Sequence, residues 1–548
     1  MSPRKATGAL FVLTVIFRIT YWFFYPPHGT DHEMLHAAVQ NLLSGNGLGF
    51  FVSNPANLSD IHFRYMNEWP PLAAWMLSVA KAMTGSGYAA DMLLMGLGTF
   101  LLLVVLRSLM QALQLKPHAQ AIIWLILLSN PEPFRNLGIT DLYGSLFLLW
   151  AVLLCIRMLQ APALRNRQLV VSGIFFFLPA AFRYQYYPLV LLFPLFLLVA
   201  ARLQQNRLHV RQAWLTASVV FFLLVAQVAF LMQQAGSPAY IAPDARGFYP
   251  ENLVLAYPFL LKAFVNVSYF ENQLVTHVGG WLLLVYFALV YFMSMFLCTQ
   301  LLLHIVRRMR SAANAKNSEA VVHHTSQLVL LGTSFAIVLL LSGLSLLYDQ
   351  QRNPAAPYGF TYVKEGRYFT AACLLILLLA AQLLQQRSLP QLRLPEWSLP
   401  RLPRTYRWAL AGLLVINLSL FGKFLVNASA HPTSGFQANW KPERNEVEEV
   451  IKNLQNKYDL PVVVAAAHKY FNFQPLGSTT GALQNYRDLL SGGIRTNSPV
   501  QLVLITGKQM SDEELKFVYD KQAVQVYSGK RTRVFHVLAG SNTQLAGR

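Results

Sequence analysis

Eleven stretches of this chain are apolar for long enough to matter to a bilayer, and no other feature restricts its fold as much. A helix of about 17–25 mostly apolar residues crosses the hydrocarbon core. Such runs lie near residues 8–25, 88–112, 118–131, 141–160, 168–183, 187–202, 212–233, 276–305, 326–348, 367–386 and 407–427. Three of them (118–131, 168–183 and 187–202) are short, so the count is about 11. A further apolar segment, 71–84, is too short to span and is expected in the interface or re-entering it. The chain is 55% hydrophobic and 12% charged, where a soluble domain carries about 25% charged residues. Disorder and an ordinary soluble enzyme are excluded. The expected fold is an all-α polytopic membrane protein.

The net charge of +20 would suggest nucleic acid in a soluble protein. Here the cations follow membrane topology instead. With the N-terminus inside, segments 1–7, 107–117, 157–167, 202–211, 306–325 and 387–407 are cytoplasmic and hold 19 Lys and Arg. The opposite loops hold nine. Positive residues stay on the cytoplasmic side, so the N-terminus is predicted inside and the C-terminus outside, with no nucleic-acid partner. Arg4 and Lys5 precede the first run, which ends in Tyr25-Pro26-Pro27 without a small-residue cleavage site. It reads as a retained signal-anchor. Cys155, Cys298 and Cys373 all fall in apolar runs, which gives no disulfide framework.

Twelve acids, among them Asp31, Glu68, Asp91 and Asp141, fall on the outer side, several where a loop meets a span. Ionisable groups there are costly unless they line a site. Chemistry is therefore expected on the extracytoplasmic face.

The predicted division is a transmembrane unit, 1–427, and a soluble extracytoplasmic unit, 428–548. In the second, 444–458 and Ser511–Tyr519 read as helices, the latter capped by Ser511. Pro461–Ala467, Val500–Ile505, Val524–Tyr527 and Thr532–Leu538 read as strands. A small α/β domain is expected. The proline-rich stretch 387–406 reads as a basic cytoplasmic linker.

The first outer loop, 26–70, is long for a connection and not composed like a disordered one. Thr30 and Glu33 are spaced for a capping box. Leu35, Ala38, Val39, Leu42 and Leu43 recur at helical spacing up to Gly45. This predicts a short amphipathic helix on the membrane surface. Its sequence His32-Glu33-Met34-Leu35-His36 matches H-E-x-x-H, which sets two histidines on one helix face for zinc with the Glu as general base. Val39 and Leu42 stand where an extended zinc-protease motif has Gly and His. The plainer account makes His32 and His36 polar-face residues of an interfacial helix.

This loop and the spans after it resemble the lipid-donor glycosyltransferases of the GT-C superfamily, in particular the protein-mannosyltransferase and aminoarabinose-transferase group. The resemblance rests on TDHEMLHAAVQNLLSGNGLGF, with Asp31, Ala38, Leu42, Gly45 and Gly47. It rests also on FRYMNEWPPLAAW, with Tyr65, Glu68, Pro70, Pro71 and Leu72. Thr140-Asp141, Arg183-Tyr184 and Arg367-Tyr368 complete it, covering roughly residues 8–385. Two departures stand out: His32 follows the first Asp where an acid is common, and Trp69 replaces a basic residue after the Glu.

The resemblance implies transfer of a sugar from a polyprenyl-phosphate donor to an extracytoplasmic lipid, glycan or protein, in a bacterial inner membrane. A phosphate at headgroup level calls for the planar fork of Arg. Arg367, Arg183, Arg64 and Lys364, with Tyr368, are the donor-phosphate candidates. Attack by an acceptor hydroxyl needs a carboxylate base, for which Asp31 is chosen. Glu68 and Asp141 are candidates to orient the acceptor. Inversion at the anomeric carbon is expected. A divalent cation is allowed, with Asp31, His32, His36, Glu68 and Asp141 as candidate ligands. Arg18, alone within the first span, is expected to face the bundle and pair with an outer carboxylate. Tyr184, Tyr186 and Tyr187 are candidates for a sugar platform or an interfacial belt. The loop 233–275 is a candidate cover. Competing classes are a lipid-linked glycan flippase, which calls for inverted repeats and mid-bilayer charges, a membrane metalloprotease, and a glycan ligase or polymerase. Asn57, Asn266 and Asn427 lie in N-x-S sequons on the predicted outer side.

Overall fold

Apolar runs fold as helices in a membrane because every backbone N–H and C=O must find its partner inside the segment. The structure, a computed structural model, describes residues 3–24, 30–54, 56–130, 132–134, 137–161, 164–237, 248, 259–265, 280–346, 366–386, 411–419, 422, 437–458, 460–466, 481–483, 489–490, 494–530 and 532–540. Among these, seven helices are long and apolar enough to cross a membrane. The protein is an integral membrane protein.

The helices run in order α1 (Pro3–Phe24), α2 (Thr30–Leu43), α3 (Leu72–Thr84), α4 (Gly87–Ala112), α5 (Pro117–Ser129), α6 (Ile139–Gln160) and α7 (Asn166–Phe182). After them come α8 (Tyr187–Val190), α9 (Leu192–Leu203), α10 (Arg207–Ala235), α11 (Phe259–Phe264), α12 (Gly280–Asn314), α13 (Ser318–Ser345) and α14 (Thr370–Gln386). The central helix is α6, most of whose apolar residues from Leu142 to Ile156 are buried, with Phe147, Trp150 and Leu154 partly buried along one face. The predicted spans 8–25, 88–112, 141–160, 212–233 and 326–348 fall on α1, α4, α6, α10 and α13. At about 1.5 Å per residue, the 13 residues of α3 fall well short of a bilayer. Of the last predicted span, 407–427, only 411–419 and 422 are described.

Arg18 does face the bundle, with 1% exposure, but its partner is not a carboxylate. Its guanidinium donates to the carbonyls of Leu127 and Asn130, the latter at 2.8 Å, and lies 4.9 Å from the Phe134 ring. The last carbonyls of α5 have no intrahelical donors, and a buried helix end needs them satisfied. A helix C-terminus thus takes the role expected of an outer acid.

The first outer loop differs more from expectation. After α2 it forms a β-hairpin, β1 (Gly49–Asn54) and β2 (Asn57–Tyr65), paired from Gly49↔Tyr65 to Asn54↔Asn57. This hairpin belongs to the sheet of the C-terminal part. That part contains β3 (Val462–Ala466), β4 (Gly481–Leu483), β5 (Val500–Gly507), β6 (Val524–Ser528) and β7 (Thr532–Ala539). Strand order is β2-β1-β4-β3-β5-β7-β6. Strands β1, β4, β3 and β5 run parallel, while β7 pairs antiparallel with both β5 and β6. Alternate residues of β3 and β5 feed two cores. Val463, Leu502 and Leu504 pack with Phe517 of α16 (Asp512–Asp520), and Val462, Val464, Val503 and Ile505 pack with Val447 and Ile451 of α15 (Gln437–Tyr458). Burial on both faces explains why these strands read as unbroken apolar runs. Ser511 and Glu514 close the expected cap of α16.

The hairpin is fixed to this sheet by more than the β1–β4 edge. Leu58 is fully buried in the core beneath α16. Its backbone N–H donates to the Arg495 carbonyl at 2.8 Å, and the Asn497 N–H donates to Asn57 Oδ1 at 2.9 Å.

Candidate functional site

Three chain segments deliver one charged cluster. Asp141 is the third residue of α6, Arg183 follows α7, and Arg367 lies in the 3-10 turn Gly366–Phe369 leading into α14. Asp141 Oδ1 accepts from Arg183 Nη2. Its Oδ2 accepts from the Gly138 backbone N–H at 3.3 Å and lies 3.9 Å from Arg367 Nη1. The carboxylate therefore caps the start of α6, where the helix dipole favours negative charge. It also positions two guanidinium groups. The Tyr368 ring lies under both, 5.0 Å from the Arg183 guanidinium carbon and 4.9 Å from that of Arg367. The Tyr368 hydroxyl accepts from Arg367 Nη2 at 3.1 Å. Cation–π contact holds the flat faces of both guanidinium groups against the ring. Gly144, one turn along α6, makes room: a Cβ there would sit 3.0 Å from Tyr186 and 3.3 Å from Arg183 Cγ.

All four residues are candidates on sequence grounds, and the fold brings them together. Among the described residues two positive charges meet one negative charge, and all three side chains are largely withdrawn from solvent. The other described phosphate candidate is engaged elsewhere. Arg64 is half exposed and pairs with Glu68 Oε1 at 2.5 Å. Lys364 lies outside the described residues, as do most of the loop 233–275, the linker 387–406, and Asn266 and Asn427.

A second group surrounds the exit of Arg183. Among the described residues, the buried Glu68 Oε2 and the hydroxyls of Tyr65 and Tyr184 have no hydrogen-bond partner. The three groups are close enough to feel one another electrostatically. Burial pushes the Tyr65 hydroxyl up to about 12, so it is a donor at any physiological pH. Orphaned buried polar atoms are rare in proteins and call for a reason. Tyr187 stands edge-on to Tyr184 at 5.5 Å and accepts from Gln227 Nε2 at 2.8 Å. Tyr186 is not part of this surface: it is 1% exposed and packs against Gly144 in the core. In the short turn Tyr184–Tyr186, successive side chains point apart, so the expected tyrosine platform keeps only its two outer members.

The histidines of α2 go elsewhere. His32 Nε2 lies 2.9 Å from Asp91 Oδ2, and His36 Nε2 lies 2.9 and 3.0 Å from Asp91 Oδ1 and Oδ2. They face the first turns of α4 rather than the surface. Glu68 and Asp141, the other candidate metal ligands, are engaged by arginines instead. Asp31 lies in the first turn of α2, with its side chain outside the described residues. Sequence reasoning places Asp91 among the outer acids and assigns it no role. A carboxylate five residues into an apolar helix is the signal that could have found it.

No protein-family signature matches the sequence, and no curated protein matches it. Solved structures do. Apo ArnT from Cupriavidus metallidurans superposes with a TM-score of 0.50 at 12% identity, over 97% of this chain and 98% of that one. The same protein bound to undecaprenyl phosphate gives 0.46 at 13% identity, over 96% and 97%. The archaeal oligosaccharyltransferase AglB from Archaeoglobus fulgidus, with an inhibitory peptide and a dolichol-phosphate, gives 0.44 at 11%, over 98% of this chain and 74% of that one. The first of these likenesses covers nearly all of both chains, and it shows that this protein has the fold of ArnT.

Proposed function

We propose that this chain is an integral-membrane glycosyltransferase. It moves a sugar from a polyprenyl-phosphate donor to an extracytoplasmic acceptor, a glycan, lipid or protein, with inversion. The observation that carries this reading is the Arg183–Asp141–Arg367–Tyr368 cluster at the ends of helices in an ArnT-like fold. Two arginines fixed by one acid and one ring suit a phosphate that is anionic before the reaction and more so after it. Asp141, committed to both arginines and a helix cap, acts as a positioning residue.

The reaction balances simply. The acceptor oxygen bonds to the anomeric carbon, the bond from that carbon to the phosphate oxygen breaks, and polyprenyl phosphate leaves. The acceptor proton goes to a carboxylate, for which Asp31 remains our choice. Glu68, Tyr65 and Tyr184 offer one acceptor and two hydroxyls beside Arg183, suited to hydrogen-bonding sugar or acceptor hydroxyls. Arg64 holds Glu68, and Lys364, three residues before Arg367 in the sequence, is kept as a further phosphate candidate. On this reading the N-terminus is cytoplasmic, the site and the domain 428–548 are extracytoplasmic, and the membrane is a bacterial inner membrane.

The test is transfer by purified protein in nanodiscs, from a panel of radiolabelled polyprenyl-phosphate sugars into a host envelope extract. Label should pass to an acceptor with wild type and fall by about 10²-fold or more with Asp31→Asn and Arg367→Ala. No transfer from any donor by well-folded protein, or full activity in both variants, overturns the proposal.

A further inference from the structure

We propose that His32, His36 and Asp91 form a binding site for a divalent transition metal of the zinc class, clamping α2 onto α4. The site is separate from the arginine cluster, and the inference does not depend on the proposed transfer reaction.

The observation is convergence. Residues four apart on a helix share a face, and α2 uses that face to aim two imidazole Nε2 atoms at a single carboxylate. All three distances are 2.9–3.0 Å, and His32 and Asp91 are about nine-tenths buried. The two rings meet edge to face at 4.5 Å. The three candidate ligand atoms lie within 4.8 Å of one another. Two nitrogens and one oxygen are a common zinc set, with bonds of about 2.0–2.2 Å and a fourth position open. Tetrahedral ligands on such bonds stand about 3.3 Å apart, so the two His–Asp91 separations need open by only a few tenths of an ångström, and the two imidazole nitrogens, within 4.8 Å of each other, settle to the same spacing.

The surroundings fit. Gly87, the first residue of α4, lets the His36 ring lie flat on the helix start: a Cβ there would sit 3.2 Å from Cε1 and Nδ1. Lys81, the nearby cation on α3, is held at 2.6 Å by Gln40 Oε1. The neighbouring Leu35, Ala38 and Val39 are buried in the main core, so α2 is already docked on its apolar side. A metal would fix its first turn, which carries Asp31 immediately before His32. The alternative is a metal-free clasp in which both imidazoles donate to Asp91.

Metal content decides between them. Protein purified without chelator, dialysed and measured by elemental mass spectrometry should hold about one zinc per chain. Cobalt exchange should give visible bands of a tetrahedral N/O site. His36→Ala and Asp91→Asn should lower occupancy by roughly tenfold or more, while His62→Ala, on the exposed side of β2, keeps it. His36→Cys should keep the metal and add a thiolate-to-cobalt band, which guards against reading misfolding as loss of a ligand. Wild type that holds no more zinc than His36→Ala after incubation with excess zinc overturns the site in favour of the clasp. Full occupancy in both ligand variants places the metal elsewhere and overturns it too.

Discussion

Asp141 and Arg183 form a buried ion pair across α6 and the end of α7, with side-chain exposures of 2% and 9%. Desolvating two charges is costly, and their attraction repays that cost only while both are present. Removing one member takes from the other its direct ionic partner, leaving Asp141 only the more distant Arg367 and the Gly138 N–H, at a cost of up to about 3–5 kcal/mol. Arg183→Met and Asp141→Leu should therefore each lower the melting temperature in detergent markedly. The double variant Arg183→Met with Asp141→Leu should recover most of that loss, and it should still lack transfer activity. Thermal unfolding across the four proteins of the cycle measures the coupling. Simple additivity would show that the pair is not a unit.

Tyr184 offers the opposite case. Its hydroxyl is buried and, among the described residues, has no hydrogen-bond partner, so it adds no hydrogen bond to the resting fold. Replacing such a group by an apolar one of the same shape is close to neutral or stabilising. Tyr184→Phe should thus leave the melting temperature unchanged or slightly higher. Transfer should fall by about tenfold, the worth of one hydrogen bond of about 1–1.5 kcal/mol. A loss of stability instead would mean that the hydroxyl already has a structural partner.

The hairpin of the first loop supplies a third test. Leu58 fills the core beneath α16 from a strand far away in sequence. Truncating a buried Leu to Ala costs about 2–5 kcal/mol, and here the cost falls on the joint between loop and C-terminal sheet. Leu58→Ala should speed hydrogen exchange in β1 and β5, with the spans unaffected. Unchanged protection in β5 would show that the two parts are stable separately.

Much of this molecule is legible in its sequence, and the reasons differ by region. Spans are legible because a bilayer fixes their length. Strands β3 and β5 are legible because both faces are buried, and α16 because Ser511 and Glu514 cap it. Asp141, Arg183 and Arg367 are legible as candidates through motif order, and only the fold shows that they meet on Tyr368. The hairpin escapes a reading of the sequence although β2 carries a period of two: Ile61, Phe63 and Tyr65 are half buried between the exposed Asp60, His62 and Arg64. Its partner strand β4 lies more than 400 residues away in the chain, and no local pattern announces such a pairing. For the same reason α2 offers two histidines but not Asp91.

The C-terminal sheet should have a definite acid sensitivity, and His536 is its source. This residue of β7 is buried, stacks on Tyr458 at 5.3 Å and lies 3.2 Å from Gln501 Oε1. Burial, and then the charge of Lys457, hold its pKa below the ordinary 6.5. The folded protein thus keeps the ring neutral at a pH where the unfolded chain protonates it. Unfolding takes up a proton in that window, so stability is full above 6.5 and falls as pH drops from there towards the lowered native value. The slope from one such group is at most about 1.4 kcal/mol per pH unit. Hydrogen exchange of β5 and β7 in the full-length protein between pH 7.5 and 5.0 should show protection declining below 6.5. In His536→Gln, which keeps a polar partner for Gln501 and cannot titrate, that decline should flatten. If the variant follows wild type across the range, another group carries the proton and His536 is only a packed ring.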